Sequence, residues 1–183
     1  MPERSEAEDL ADRVVALLRE AELTVATAES LTGGLVAAAL TSVPGASAVV
    51  LGGVVSYALS VKEGLLGVPK ELLEEQGAVA ADSAAAMADG VRRATGAAVG
   101  VATTGVAGPE PSEGKPVGTV FVAVSVALPA SGDAGTVASG GRESRERVRA
   151  LNLRGSRDQI RTRTVENALE LVLELVSGTD GVA

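Results

Sequence analysis

The strongest constraint on this chain is an alternation in its apolar pattern. Segments whose apolar residues recur every three or four positions are followed by short runs dense in Val and Ala. Leu10, Val14, Leu17 and Leu18 lay one apolar stripe along a helix over residues 9–21, and residues 23–28 then read as a buried strand. The same logic predicts a helix from Leu31 or Thr32 to Thr41, a strand over 48–57 with a bulge at Gly52-Gly53, and a short helix over 60–66. Pro69 opens the next helix, which stops at Gly77. Asp82 or Ser83 caps a helix through Thr95 that Gly96 ends. Strands follow over 97–103, 117–128 and 148–153. Ser156 and Gln159 form a capping box that opens the last helix, through about Val176. Strands alternating with helices require a largely parallel sheet covered on both faces. Residues 129–140 are a Gly/Ser/Ala-rich turn without helical periodicity, so the last two strands should be antiparallel neighbours.

The 183 residues make one domain, 1–183, with 1–8 and 177–183 expected to fray. Its core must be aliphatic, because Tyr57 and Phe121 are the only aromatic residues. No apolar run approaches the roughly 20 residues of a membrane span. The acidic, polar start lacks the basic and apolar regions of a signal peptide, so a cytoplasmic location with no membrane partner is expected. A net charge of −8 argues against a nucleic-acid partner, since phosphate neutralisation supplies most non-specific affinity.

The chain has no cysteine and no histidine. Disulfides, zinc–thiolate sites, a cysteine nucleophile and a Ser-His-Asp triad are thereby excluded. Acid–base chemistry must fall to Lys, Tyr, Asp or Glu.

Parallel sheets place their sites outside the C-terminal strand ends. The first predicted strand ends at Glu29-Ser30, followed by Thr32, Gly33 and Gly34. That puts Ser30 at or near a helix N-terminus, as a nucleophile or as a plain N-cap, the commoner local role. The second ends at Tyr57, five residues before Lys62, one of three lysines. A lysine in a partly apolar pocket loses pKa and can act as a base, although a snorkelling lysine beside a packed tyrosine is the plainer reading. The third ends at Thr103-Thr104-Gly105, before the Gly/Pro-rich loop that includes Gly108. Backbone N–H groups there suit an oxyanion or a phosphate, but no Gly-Lys-Ser/Thr follows, so this is not a P-loop. Arg157 and Arg161 lie one turn apart at the start of the last helix, as surface charges or as a phosphate contact.

Taken together, these residues resemble the CinA C-terminal-domain family. The resemblance rests on Thr27-Ala28-Glu29-Ser30 with Thr32-Gly33-Gly34, Gly45-Ala46-Ser47, Tyr57 with Lys62, and the Gly64 to Val68 run. It continues through Gly77-Ala78-Val79, Thr104-Gly105-Val106-Ala107-Gly108-Pro109 and Lys115-Pro116-Val117-Gly118-Thr119-Val120. It extends from about Leu10 to Val176. It implies a three-layer α/β/α fold with a mixed, mostly parallel sheet, often as a homodimer. It also implies hydrolysis of nicotinamide mononucleotide to nicotinate mononucleotide and ammonia, without metal or cofactor. Carried over by motif, Ser30 is the nucleophile, Lys62 the base, Tyr57 a relay or positioning group, and Thr104 an active-site hydroxyl. Glu29, Thr32, Gly33, Gly34, Gly105, Gly108, Arg157 and Arg161 complete the expected substrate-binding set. The alternatives are a non-catalytic pyridine-nucleotide-binding or regulatory module, and an amidase for another small amide. The chain departs from the pattern at Leu59, where the family often has Asn, and at Glu110-Pro111-Ser112-Glu113-Gly114, where two glycines commonly follow Gly108-Pro109. Substrate preference therefore turns on that wall. Residues 129–140 look longer than usual, and without the N-terminal domain of larger members the stand-alone form is expected.

Overall fold

The computed structural model describes residues 4–127 and 144–178. The expected turn at 129–140 and most of the expected C-terminal fray lie outside the described residues. Helix α1 spans Glu6–Glu20. It starts earlier than its apolar stripe because Ser5 and Glu8 form a capping box: Ser5 Oγ accepts from the Glu8 N–H, and the Glu8 carboxylate accepts from the Ser5 N–H at 2.8 Å. Fraying of residues 5–8 is therefore corrected.

The following elements are β1 Val25–Glu29, α2 Leu35–Thr41, a 3-10 turn Ala46–Ala48, β2 Val50–Val55, α3 Leu59–Leu66, α4 Lys70–Gln76 and α5 Ala81–Thr95. Then come β3 Val99–Gly105, β4 Thr119–Ala127, β5 Ser144–Asn152 and α6 Arg157–Ser177. Helix α5 begins from Ala80, not from Asp82 or Ser83; Ser83 Oγ instead donates to the Gly77 carbonyl at 2.7 Å. Ser156 and Gln159 do make the capping box of α6.

The sheet has the order β2-β1-β3-β4-β5. Strands β2, β1 and β3 are parallel, and β4 pairs antiparallel with both β3 and β5, so β4 alone runs against the rest. The register slips by one residue between Val25/Val50 and Ala26/Gly52, which is the bulge expected at the Gly pair. Helices cover both faces. Val25, Val99, Val101, Val120, Val122 and Val124 point into the core under α1, α2 and α6. Ala26, Ala28, Ala102 and Ala123 point to the other face, under α5. That face is built for close approach: a Cβ on Gly100 would overlap the Ala88 carbonyl, and one on Gly90 would overlap the Leu66 carbonyl. Among the described residues no helix is long and apolar enough to cross a membrane.

Glu29 is in register with Val55 on one side and Thr103 on the other. The parallel strands therefore end together, and Gly105 paired to Val120 brings the start of β4 to the same edge.

Candidate active site

Ser30 continues the ladder by one residue, its N–H donating to the Thr103 carbonyl at 3.0 Å. Helix α2 begins only at Leu35, with Gly34 at φ 101 as its N-cap. Ser30 is thus not a cap, which corrects the helix-terminus reading. The orphan N–H groups of α2 are taken by Glu29 from behind. Its carboxylate accepts from Gly34 N at 3.0 Å, Val36 N at 3.0 Å, Ala37 N at 2.8 Å and Thr32 Oγ1 at 2.7 Å. Four bonds use a carboxylate's acceptor capacity, and Glu29 is 1% exposed. Its expected contact with substrate, and any role as a base, are corrected: from the end of β1, the Glu29 carboxylate takes the free N–H groups at the start of α2.

Thr32 is fully buried, with its hydroxyl 2.7 Å from that of Thr103. Gly33 and Gly34 have φ of 62 and 101, and they turn the chain from strand to helix. Arg161 reaches across from α6 and donates to the Leu31 carbonyl at 3.1 Å and the Thr32 carbonyl at 3.0 Å. These residues hold the Ser30 turn in place and do not line the cavity in front of it.

Lys62 comes from α3 and is 1% exposed. Its ammonium donates to the Ser56 carbonyl and to Ser30 Oγ at 3.3 Å. The Ser56 carbonyl is itself placed by the backbone, since Ser56 N–H donates to the Glu29 carbonyl at 2.8 Å. Burial pushes the Lys62 pKa below its ordinary value, and the Glu113 carboxylate opposes part of that shift. Tyr57 lies beyond the end of β2 and is 63% exposed. Its hydroxyl accepts from Arg157 Nη2 at 3.3 Å, while Arg157 Nη1 donates to the Gly108 carbonyl at 2.7 Å. Thr104 is buried and donates to the Ala78 carbonyl at 2.7 Å, which pins the Ala78-Val79 wall.

A cavity of about 290 Å³ opens in front of Ser30. Ser30, Tyr57, Lys62, Thr104, Gly105, Gly108 and Arg157 all line it; Glu29, Thr32, Gly33, Gly34 and Arg161 do not. A larger groove of about 560 Å³ between α1 and α6 is lined by Arg4, Glu6, Asp9, Arg13, Glu170 and Glu174. It has no nucleophile, and its charges face solvent.

Residues 7–134 match the CinA C-terminal domain. The chain belongs to this family. It is 48% identical over 165 residues to a CinA-like protein of Frankia casuarinae, covering 90% of this chain and 34% of that one. A CinA-like protein of Anaeromyxobacter dehalogenans is also 48% identical, over 166 residues, covering 90% of this chain and 37% of its own. The chain thus spans about a third of the length of these relatives. Among solved structures it resembles the competence/damage inducible protein CihA of Agrobacterium tumefaciens, with TM-score 0.81, 37% identity and coverage of 94% and 96% of the two chains. A CinA superfamily protein from Klebsiella pneumoniae 700603 gives TM-score 0.82 at 27% identity, covering 94% and 98%.

Within this CinA C-terminal domain, cavity residues outside the expected set are Leu59, Val79, Glu110 and Glu113, among others. Leu59 and the two glutamates are the positions expected from the sequence to depart from the family pattern. Glu113 had a local signal. Ser112 and Lys115 pair across Glu113-Gly114, whose φ values of 52 and 70 define a two-residue hairpin turn. A residue followed by Gly in such a turn is readable in sequence. The direction of its side chain, back across the cavity to the Val79 N–H at 3.0 Å, is not.

Proposed function

We propose that this chain hydrolyses the carboxamide of nicotinamide mononucleotide, giving nicotinate mononucleotide and ammonia through an acyl-enzyme on Ser30. The observation that carries this reading is the 3.3 Å contact between Lys62 Nζ and Ser30 Oγ at the cavity wall of a chain without histidine. The choice of substrate follows what the resemblance to the CinA C-terminal-domain family implies; the relatives' names say only CinA-like and competence/damage inducible.

Lys62, as the free amine, takes the Ser30 proton as Oγ attacks the carboxamide carbon. The Tyr57 hydroxyl is engaged with Arg157, which favours direct transfer over a tyrosine relay. The Leu31 N–H adjoins the nucleophile and has no acceptor among the described residues. It is our assignment for the oxyanion donor, since the N–H groups of α2 are taken by Glu29; one such donor contributes about 3 kcal/mol. Lys62 then returns the proton to the departing nitrogen, and ammonia leaves. Water attacks the acyl-enzyme, with Lys62 again accepting the proton, and Ser30 is regenerated. Arg157 keeps donors beyond those bound to Gly108 and Tyr57, and these suit the substrate phosphate. A two-fold dimer belongs to the same reading; β2 is an edge strand that exposes Leu51 and Val55, and light scattering checks it.

The test is ammonia release from nicotinamide mononucleotide, nicotinamide riboside and unrelated small amides. Release that is fastest from the mononucleotide supports the proposal. Release only from other amides replaces the substrate. Binding without release from any of them replaces the enzyme with a binding module.

A further inference from the structure

Hydrolysis by a Ser30–Lys62 pair needs no carboxylate, yet the cavity has one fixed in its wall. Glu113 occupies a left-handed position, φ 52, which side chains other than glycine rarely adopt. The turn aims its carboxylate across the loop, where Oε2 accepts from the Val79 N–H at 3.0 Å. Gly77 leaves room for it: a Cβ there would overlap Glu113 Oε2. Oε1 has no hydrogen-bond partner among the described residues. The neighbouring ammonium, Lys115, is turned to the Gln76 carbonyl at 3.2 Å and makes no ion pair with Glu113. The cavity's guanidinium, Arg157, is tied to a different wall, at Tyr57 and Gly108. Glu110 is the other acid of the lining.

This arrangement matters in the active form. With Lys62 neutral, no cation of the site is paired with Glu113. Resting on the amidohydrolase reading of the same cavity, we infer that Glu113 determines specificity by setting its carboxylate against a cationic ring, selecting carboxamides carried on an N-substituted pyridinium over those on neutral rings. A pyridinium spreads its charge and offers no N–H, so it is recognised through the field of a nearby anion rather than by a directed bond. Glu113 is itself exposed, so water screens part of that field and the selectivity it gives is graded.

Reduced nicotinamide mononucleotide is the matching probe. It keeps the carboxamide, ribose and phosphate and carries a neutral dihydropyridine ring. The measured quantity is the oxidised-to-reduced ratio of kcat/KM in the wild type and in Glu113→Gln. The amide oxygen of Gln can keep the Val79 bond, so the wall is retained. Any change in Lys62 basicity acts on both substrates, and intrinsic reactivity differences cancel between the two proteins. The expected result is a ratio about three- to fivefold lower in Glu113→Gln, the size expected of an interaction with an exposed charge. The same comparison is made by calorimetric binding of both forms to Ser30→Ala and to Ser30→Ala/Glu113→Gln, which needs no turnover. Loss of discrimination in binding, with no ammonia released by the wild type, would uphold the role of Glu113 and remove the amidohydrolase reading. Equal effects of Glu113→Gln on both forms, or no effect on either, would overturn the inference whatever the turnover.

Discussion

Lys62 Nζ stands 3.3 Å from Ser30 Oγ, held there by a second bond to the Ser56 carbonyl. That pair makes Lys62→Met and Ser30→Ala equivalent tests. Each should lower ammonia release by at least about 10³-fold, within the range ascribed to a positioned acid–base group and below the loss of a nucleophile. Lys62→Arg should be as inactive as Lys62→Met, because a guanidinium cannot release its proton. Activity in Lys62→Arg above a tenth of wild type would remove lysine as the base.

The pH dependence has a defined sign. Burial lowers the Lys62 pKa, so kcat/KM should rise with pH along one ionisation centred below a free lysine's value of about 10.4. Stability follows the same group. Between the lowered folded pKa and about 10.4 the unfolded chain binds a proton that the folded chain does not, so stability rises with pH across that window. Below the folded pKa the cost of the buried charge is present in full. Lys62→Met removes that cost, so the melting temperature of the variant minus that of wild type should fall as pH rises through the window. A difference that is flat with pH would contradict a buried, titrating Lys62.

Glu29→Gln should act on stability first. The variant turns an NH₂ toward N–H groups that now donate to the carboxylate from Gly34, Val36 and Ala37. A loss of about 1–3 kcal/mol is expected for a buried polar group left with the wrong partners. Denaturant titration reads it directly. A fully stable but inactive Glu29→Gln would return the carboxylate to the list of bases.

The two α6 arginines should separate. Arg157→Ala should raise KM for the mononucleotide several-fold and leave KM for nicotinamide riboside little changed, as expected of a phosphate contact. Arg161→Ala should instead lower the melting temperature, because it frees the Leu31 and Thr32 carbonyls from their guanidinium. Parallel kinetics and thermal melts on both variants distinguish the roles.

Removing the unpaired hydroxyl of Thr27 should stabilise the protein. Thr27 is 1% exposed, and its Oγ1 has no hydrogen-bond partner among the described residues. Val keeps the shape without the hydroxyl, so Thr27→Val should gain about 1 kcal/mol in chemical denaturation. A loss of stability would mean that the hydroxyl is bonded in solution.

The layered sheet was legible because continuous Val/Ala runs alternate cleanly with period-3.6 apolar patterns, and Ser156-to-Gln159 was a readable start for α6. Ser5-to-Glu8 carries the same kind of box but lies in an acidic, polar stretch that masks it. The site was legible to the level of strand ends. Ser30, Tyr57, Lys62 and Thr104 converge because parallel strands finish at one edge. Glu29 was not legible as the acceptor for the N–H groups that open α2, since its bonds run five to eight residues forward around a turn whose shape only the fold defines. Nor could spacing choose between Arg157 and Arg161, because four residues on a helix leave both near the same side and its rotation decides which meets the cavity. Glu113 announced itself as a departure from a glycine-rich pattern, without saying where its carboxylate would point.

The burial of Lys62 also gives the protein an internal gauge. The chain has only three lysines; the Lys70 side chain is 63% exposed, and that of Lys115 is partly open. Reductive methylation under native conditions should therefore modify Lys70 and Lys115 and spare the amine beside Ser30. Intact mass spectrometry would then count one protected lysine per folded chain, and the rate at which that count falls would measure how often the nucleophile and its base come apart.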